Sequence, residues 1–113
     1  MSYYINVLDY LENAATNYPD KLAFVDEVEA ITFRELRDFS KAVACSIINK
    51  TNGSLKRPVV VMVKNNVYDI VSFMSVLYSG NFYVPIDCKM PRARLEIILN
   101  KLNPLMILNQ EEF

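Results

Sequence analysis

Three features of the sequence predict an α/β fold, with an N-terminal helix and a small hairpin followed by alternating helices and mainly parallel strands. Leu36, Phe39, Val43, Ala44, Ile47 and Ile48 recur at three- and four-residue spacing, the mark of a helix with one apolar stripe. Pro58-Val59-Val60-Val61-Met62-Val63 shows no alternation and is rich in β-branched residues, as expected of a strand covered on both faces. Strand-like and helix-like segments then alternate on short connections, which favours a parallel sheet with right-handed crossovers. At 113 residues, 52% of them hydrophobic, the chain suffices for one core, and residues 1–113 read as a single unit without linker or repeat.

Each element has its own local signal. Asn6 can cap a first helix, with Asp9 as its partner and Leu8, Leu11 and Ala15 on one face, ending near Tyr18-Pro19. Leu22 to Val25 and Ala30-Ile31 read as two short strands joined by a turn over Asp26 to Glu29. Thr32-Phe33-Arg34-Glu35 has the form of a capping box and opens the long second helix, which Thr51-Asn52-Gly53-Ser54 ends. Asn66 with Asp69 opens the next helix, Ile70, Met74 and Leu77 mark its inner face, and Gly80 suits the left-handed position that closes it. Phe82 to Ile86 is a second strand. Pro91 suits the first turn of a last helix with Leu95, Ile98, Leu99 and Leu102 inward, and Asn103-Pro104 stops it before a strand over Leu105 to Leu108.

Several chemistries lack their residues. The chain contains no His, which removes Ser-His-Asp and Cys-His nucleophile pairs, histidine metal sites and histidine proton shuttles. Two glycines, Gly53 and Gly80, cannot write a GxGxxG turn or a GxxxxGK[ST] phosphate loop. A formal charge of -1 argues against a nucleic-acid surface. Cys45 and Cys88 stand too far apart for a CxxC pair and read as small buried hydrophobes. The start lacks a basic n-region and an apolar h-region, and no apolar run is long enough to span a bilayer, so the expected setting is soluble, reduced and cytoplasmic.

Ligands of open parallel sheets lie beyond the carboxyl ends of the strands, which directs attention to Lys64-Asn65-Asn66, Asp87-Cys88-Lys89 and Asn109-Gln110. Asn66 reads as a helix cap, Lys64 as a solvated strand end and Asp87 as part of a polar turn. Asp26, Glu27, Glu29, Glu111 and Glu112 read as solvated loop and tail charges. Phe24, Phe33, Phe39, Phe73 and Phe82 are expected in the core, while Tyr3, Tyr4 and Tyr10 could cover an apolar edge or a partner surface. No catalytic, cofactor-binding or metal-ligating constellation emerges.

Two segments in this order have a familiar form: Ile31-Thr32-Phe33-Arg34-Glu35-Leu36, and Leu77-Tyr78-Ser79-Gly80-Asn81-Phe82-Tyr83-Val84-Pro85-Ile86-Asp87 followed by Pro91 and Arg94-Leu95. They resemble the first two core motifs of the adenylate-forming ligases, the superfamily of acyl-CoA synthetases, peptide-synthetase adenylation domains and luciferases. Asn17-Tyr18-Pro19-Asp20-Lys21-Leu22-Ala23-Phe24 resembles the segment that precedes them. The nearest flavour is the amino-acid-activating adenylation domain, D-alanine:carrier-protein ligases included. Tyr78, Ser79, Asn81, Phe82 and Cys88 depart from the family pattern, which commonly has Lys, Ala, Gly, Ala and Pro there.

The resemblance implies that the chain is the N-terminal portion of the large domain of such a ligase, starting at Met1 and stopping inside that domain. The parent activates a carboxylate as acyl-AMP with ATP and Mg²⁺ and passes it to a phosphopantetheine thiol. Its partners are the remainder of the adenylation domain and a carrier protein. The motifs that do this chemistry lie downstream in the family, so the 113 residues alone are expected to be inactive and, with surface uncovered, to self-associate as a symmetric dimer. The alternative is a stand-alone α/β interaction module derived from that family. A receiver-like phosphoacceptor fits the element order but lacks acidic strand ends, since Val63 leads into Lys64.

Overall fold

The computed structural model describes residues 6–112. It runs α1 (Val7–Asn17), β1 (Leu22–Val25), β2 (Ala30–Thr32), α2 (Phe33–Lys50), β3 (Pro58–Val63), α3 (Val67–Tyr78), β4 (Phe82–Asp87), α4 (Arg92–Leu102) and β5 (Met106–Leu108), then a 3-10 turn over Gln110–Glu112. β3 lies between β4 and β5 and is parallel to both. β1 and β2 pair antiparallel with each other and form a separate two-stranded sheet, so the expected alternation of strands yields a three-stranded main sheet. Tyr3 and Tyr4 lie outside the described residues.

The caps follow local chemistry. Thr32 Oγ1 accepts from Glu35 N–H (3.2 Å) and Glu35 Oε1 accepts from Thr32 N–H (2.9 Å), a reciprocal box at the head of α2. At α1, Asn6 Oδ1 accepts from Leu8 N–H (2.9 Å), and Asp9 takes part through its backbone N–H on the Asn6 carbonyl (3.0 Å) rather than as the expected partner side chain. Pro91 stands at the N-cap of α4, one residue before the helix, and Asn103 ends that helix in the left-handed region (φ 47°).

Two apolar clusters meet on α3. Leu11, Ile31, Leu36, Val67, Val71 and Met74 join α1, the hairpin, α2 and α3, whereas Ile47, Val59, Val61, Val76 and Leu108 join α2 and α3 to the main sheet. α3 therefore buries two sides, which corrects the expected single stripe: Ile70 and Leu77 are half-buried, and Val71, Ser72, Ser75 and Val76 are buried. On α2 Ser40 is buried, its Oγ donating to the Val71 carbonyl (3.4 Å), while Ile48 is exposed. α4 buries no residue, and its four expected core positions are only half-covered.

Phe24 and Phe82, expected in the core, are 47% and 48% exposed because both lie on strands with one open side. Cys45 and Cys88 are likewise exposed, correcting the expectation of burial. Cys45 falls one position past buried Ala44 and so on the outer side of α2, and Cys88 sits in the turn after β4.

The free edge of β4 is shaped by proline. Phe82 N–H donates to the Arg57 carbonyl (3.1 Å) and Cys88 N–H to the Val63 carbonyl (3.1 Å), so even-numbered residues of β4 turn their backbone toward β3. Tyr83, Pro85 and Asp87 face outward, and Pro85, which has no N–H, breaks no ladder bond there while blunting the edge.

The positions that depart from the family pattern form an internal network. Asn81 is buried; its Oδ1 accepts from Arg57 N–H (3.0 Å), and its Nδ2 donates to the Ser54 carbonyl and Ser79 Oγ (both 3.1 Å). Tyr78 donates its hydroxyl to Glu12 Oε1 (2.8 Å), which also pairs with Lys41 Nζ (2.7 Å), joining three helices. Lys41 and then Tyr78 hold the Glu12 carboxyl below the usual range, and burial followed by the Glu12 acceptor pushes the Tyr78 hydroxyl far upward.

Two outcomes follow from this network. Asn81→Ala takes the partner from one half-buried N–H and one half-buried carbonyl and lowers unfolding stability by about 1–3 kcal/mol, read from the denaturant midpoint. Because the Glu12 carboxyl is lowered on folding, its contribution is present above the ordinary glutamate value of 4.5 and is lost as pH falls through the lower folded value. Glu12→Gln therefore flattens the acid limb of a plot of stability against pH.

Candidate functional site

The chain leaves β3 toward β4 on one side of the sheet and returns through α4 to β5 on the other, so the strand order reverses between β3 and β5. In open α/β sheets a crevice at the carboxyl ends of such neighbours is the usual ligand site. Phe39, Lys64, Asn66, Tyr68, Gln110 and Glu111 line one here.

Its polar groups are tied to one another. Asp69, in the first turn of α3, accepts from Lys64 N–H (3.0 Å) and Gln110 Nε2 (2.7 Å) at Oδ1, and from Asn65 N–H (2.7 Å) and Asn66 N–H (3.2 Å) at Oδ2. Three consecutive amides converge on one carboxylate because Asn65 adopts φ 61°, a region that Asn tolerates. Asn66 Oδ1 caps Tyr68 N–H (3.0 Å), and Asn66 Nδ2 donates to Gln110 Oε1 (2.7 Å). The structure thus brings together two of the three expected strand-end segments. The third stands apart as the expected polar turn, with Asp87 Oδ1 accepting from Lys89 N–H (2.9 Å).

Asp26, expected as a solvated loop charge, is a structural group. Its Oδ1 accepts from Val28 and Glu29 N–H (both 2.7 Å) and its Oδ2 from Val67 N–H (2.8 Å), fastening the hairpin turn to the start of α3. These bonds, led by that from Glu29, hold its carboxyl below the usual range. Glu29 in turn accepts from the Tyr68 hydroxyl and raises its pKa. Local spacing marks Asp69 as a cap, but neither its bond to Gln110 nor that of Asp26 to Val67 has a sequence signal, since each crosses 41 positions.

This arrangement does not fit the phosphates of ATP or a Mg²⁺ ion. Gly53 precedes β3 and Gly80 precedes β4, so both lie at the amino ends of the strands, opposite the crevice. The Asp69 carboxylate beside the crevice already accepts from three backbone amides, and among the described residues no group of three or more Cys, Asp or Glu is placed to hold a metal. What the crevice does is lock β3, α3 and the 3-10 turn together. Asp69→Ala removes four bonds and costs about 2–3 kcal/mol of stability, with faster exchange of the Lys64, Asn65 and Asn66 amides.

Comparison with known proteins agrees with the motifs. The chain is 30% identical over 101 residues to tyrocidine synthase 1 of Brevibacillus parabrevis, covering 88% of this chain and 9% of that protein. It is 27% identical over 104 residues to the D-alanine--D-alanyl carrier protein ligase of Staphylococcus aureus (strain JH9), covering 92% of this chain and 20% of the ligase. The solved structure of VinN with 3-methylaspartate superposes with a TM-score of 0.85 at 22% identity, over 95% of this chain and 30% of that one. The chain therefore spans a small part of each relative. The sequence profile of the AMP-binding enzymes matches residues 11–112, and the chain belongs to that family of adenylate-forming ligases.

Proposed function

We propose that residues 1–113 are the N-terminal scaffold portion of a larger adenylation domain and contribute no catalytic residue. The parent enzyme joins a carboxylate, most simply an amino acid, to ATP, forming acyl-AMP with release of pyrophosphate. It then transfers the acyl group to a phosphopantetheine thiol with release of AMP. Mg²⁺ and the phosphate-binding groups belong to the rest of the domain, and a carrier protein is the acceptor. In such a reaction most of the catalytic effort is positioning and charge stabilisation at the phosphates, which needs converging donors.

The observation that carries this reading is the crevice between β3 and β5, where Asp69, Asn66 and Gln110 satisfy one another and the local backbone. Such groups build a scaffold, their own side-chain donors and acceptors turned to one another and to the backbone. The names of the relatives support the amino-acid and carrier-protein parts of the proposal. No helix among the described residues is long and apolar enough to cross a membrane, and two exposed, unbridged thiols suit the cytoplasmic setting that we include in the proposal.

Calorimetric titration of the 113-residue chain with ATP and Mg²⁺ is expected to give no saturable heat up to about 1 mM nucleotide. Saturable micromolar binding by this chain overturns the scaffold reading.

A further inference from the structure

We propose that Asn52-Gly53, in the turn between α2 and β3, is a covalent modification site at which the chain converts its own asparagine to aspartate and isoaspartate without an enzyme. The inference is independent of the ligase reading. Its reactants are two adjacent residues and water, and the turn lies at the amino end of β3, so neither the crevice nor an edge of the sheet enters it. Asn52 alone among the asparagines of the chain precedes a glycine. Without a Cβ, Gly53 leaves its backbone nitrogen open to the approach of the preceding side chain.

The chemistry balances with water as its one co-reactant. The Gly53 amide nitrogen attacks Asn52 Cγ, a C–N bond forms, the Cγ–Nδ2 bond breaks, and Nδ2 leaves as ammonia carrying the proton that Gly53 gave up. Water then opens the cyclic imide. Cleavage of the nitrogen's bond to Cγ gives aspartate, and cleavage of its bond to the Asn52 backbone carbonyl carbon gives isoaspartate.

The structure shows what frees this pair and what restrains it. Asn52 and Gly53 are exposed, and beyond their chain neighbours nothing stands within 4 Å of where a Gly53 side chain would begin. The Asn52 side chain bonds to no described residue, whereas the amides of Asn66 and Asn81 are held. The restraint acts on the nucleophile. Asn52 (φ 54°) and Gly53 (φ 73°) are both left-handed, and Gly53 N–H donates to the Ile48 carbonyl (3.0 Å), closing α2 as a Schellman turn. An amide so engaged keeps its proton. The reaction therefore runs from the frayed end of α2, at the unfolded chain's rate reduced by the fraction of time the turn is open.

The product disturbs the turn it came from. Either form places a carboxylate just past the C-terminus of α2, where the helix dipole disfavours negative charge. Isoaspartate also lengthens the main chain by a methylene, which takes Gly53 N–H out of register with the Ile48 carbonyl. Ser54 follows directly, and its carbonyl accepts from Asn81 Nδ2 (3.1 Å), so the change reaches the network that ties the exit of α3 to the loop before β3.

Incubation of the 113-residue chain in mildly alkaline water enriched in heavy oxygen, followed by peptide mapping, tests the proposal. Residue 52 is expected to lose ammonia and take up the label before any other asparagine. In the folded chain it does so about two- to tenfold more slowly than in urea, the factor that one hydrogen bond supplies. The converted chain separates by charge and unfolds at a lower denaturant midpoint. Asn52→Gly, which suits the left-handed position, folds and takes up no label there, and Asn52→Asp, with the charge but not the added methylene, loses less stability than the isoaspartate form. Asn52 left intact in the folded chain while the chain in urea converts, equal rates in the two states, label appearing first at another asparagine, or an unchanged midpoint after conversion overturns the proposal.

Discussion

A helix begins with backbone N–H groups that the helix's own carbonyls cannot satisfy, and at the start of α3 this chain meets that requirement with Asp26 of the distant hairpin and with the cap residue Asn66. Asp26 reaches Val67 N–H from the hairpin, and Asp69 reaches back over the three amides that leave β3. The hairpin, the central strand, α3 and the final 3-10 turn are fixed relative to one another through this one helix terminus. Negative charge there is also favoured by the helix dipole, so a carboxylate serves better than a neutral acceptor.

The same economy supports the reading of the crevice as part of the scaffold. An open α/β sheet presents polar loops at the carboxyl ends of its strands, and those loops can either hold a ligand or hold each other. Asn66, Asp69 and Gln110 are within bonding distance of one another, and no buried side-chain nitrogen or oxygen among the described residues lacks a partner. A ligand that engaged Asn66, Asp69 or Gln110 would have to displace these bonds, at the cost of the groups left unpaired in exchange.

The departures from the family pattern are equally purposeful. Asn81 takes the place of a small residue and ties the exit of α3 to the loop before β3, and Tyr78 ties that helix to Glu12 and Lys41. Gly80, between them, adopts φ 85° and offers its carbonyl to Lys56 N–H (2.8 Å), a turn that lets α3 reverse into β4. These residues stabilise the segment at its own connections and leave the sheet edges and the faces of α1, α4 and the hairpin as the least covered surface.

Much of this was legible from the sequence alone. Caps and strand patterns are local, so Thr32 with Glu35, Asn66 with Asp69 and the unalternating run at Val59 to Val61 determined where helices and strands begin and that β3 is central. Motif order determined the family. Tertiary structure alone decided which half of an amphipathic pattern is covered and by what. α3 carries two buried sides because α2 and the main sheet grip it from different directions, while α4, with a comparable apolar stripe, buries nothing. It also decided that Cys45, Cys88, Phe24 and Phe82 face outward and that Asp26 and Gln110 meet α3. Burial and long-range hydrogen bonding depend on neighbours brought from far along the chain, and periodicity within a segment carries no record of them.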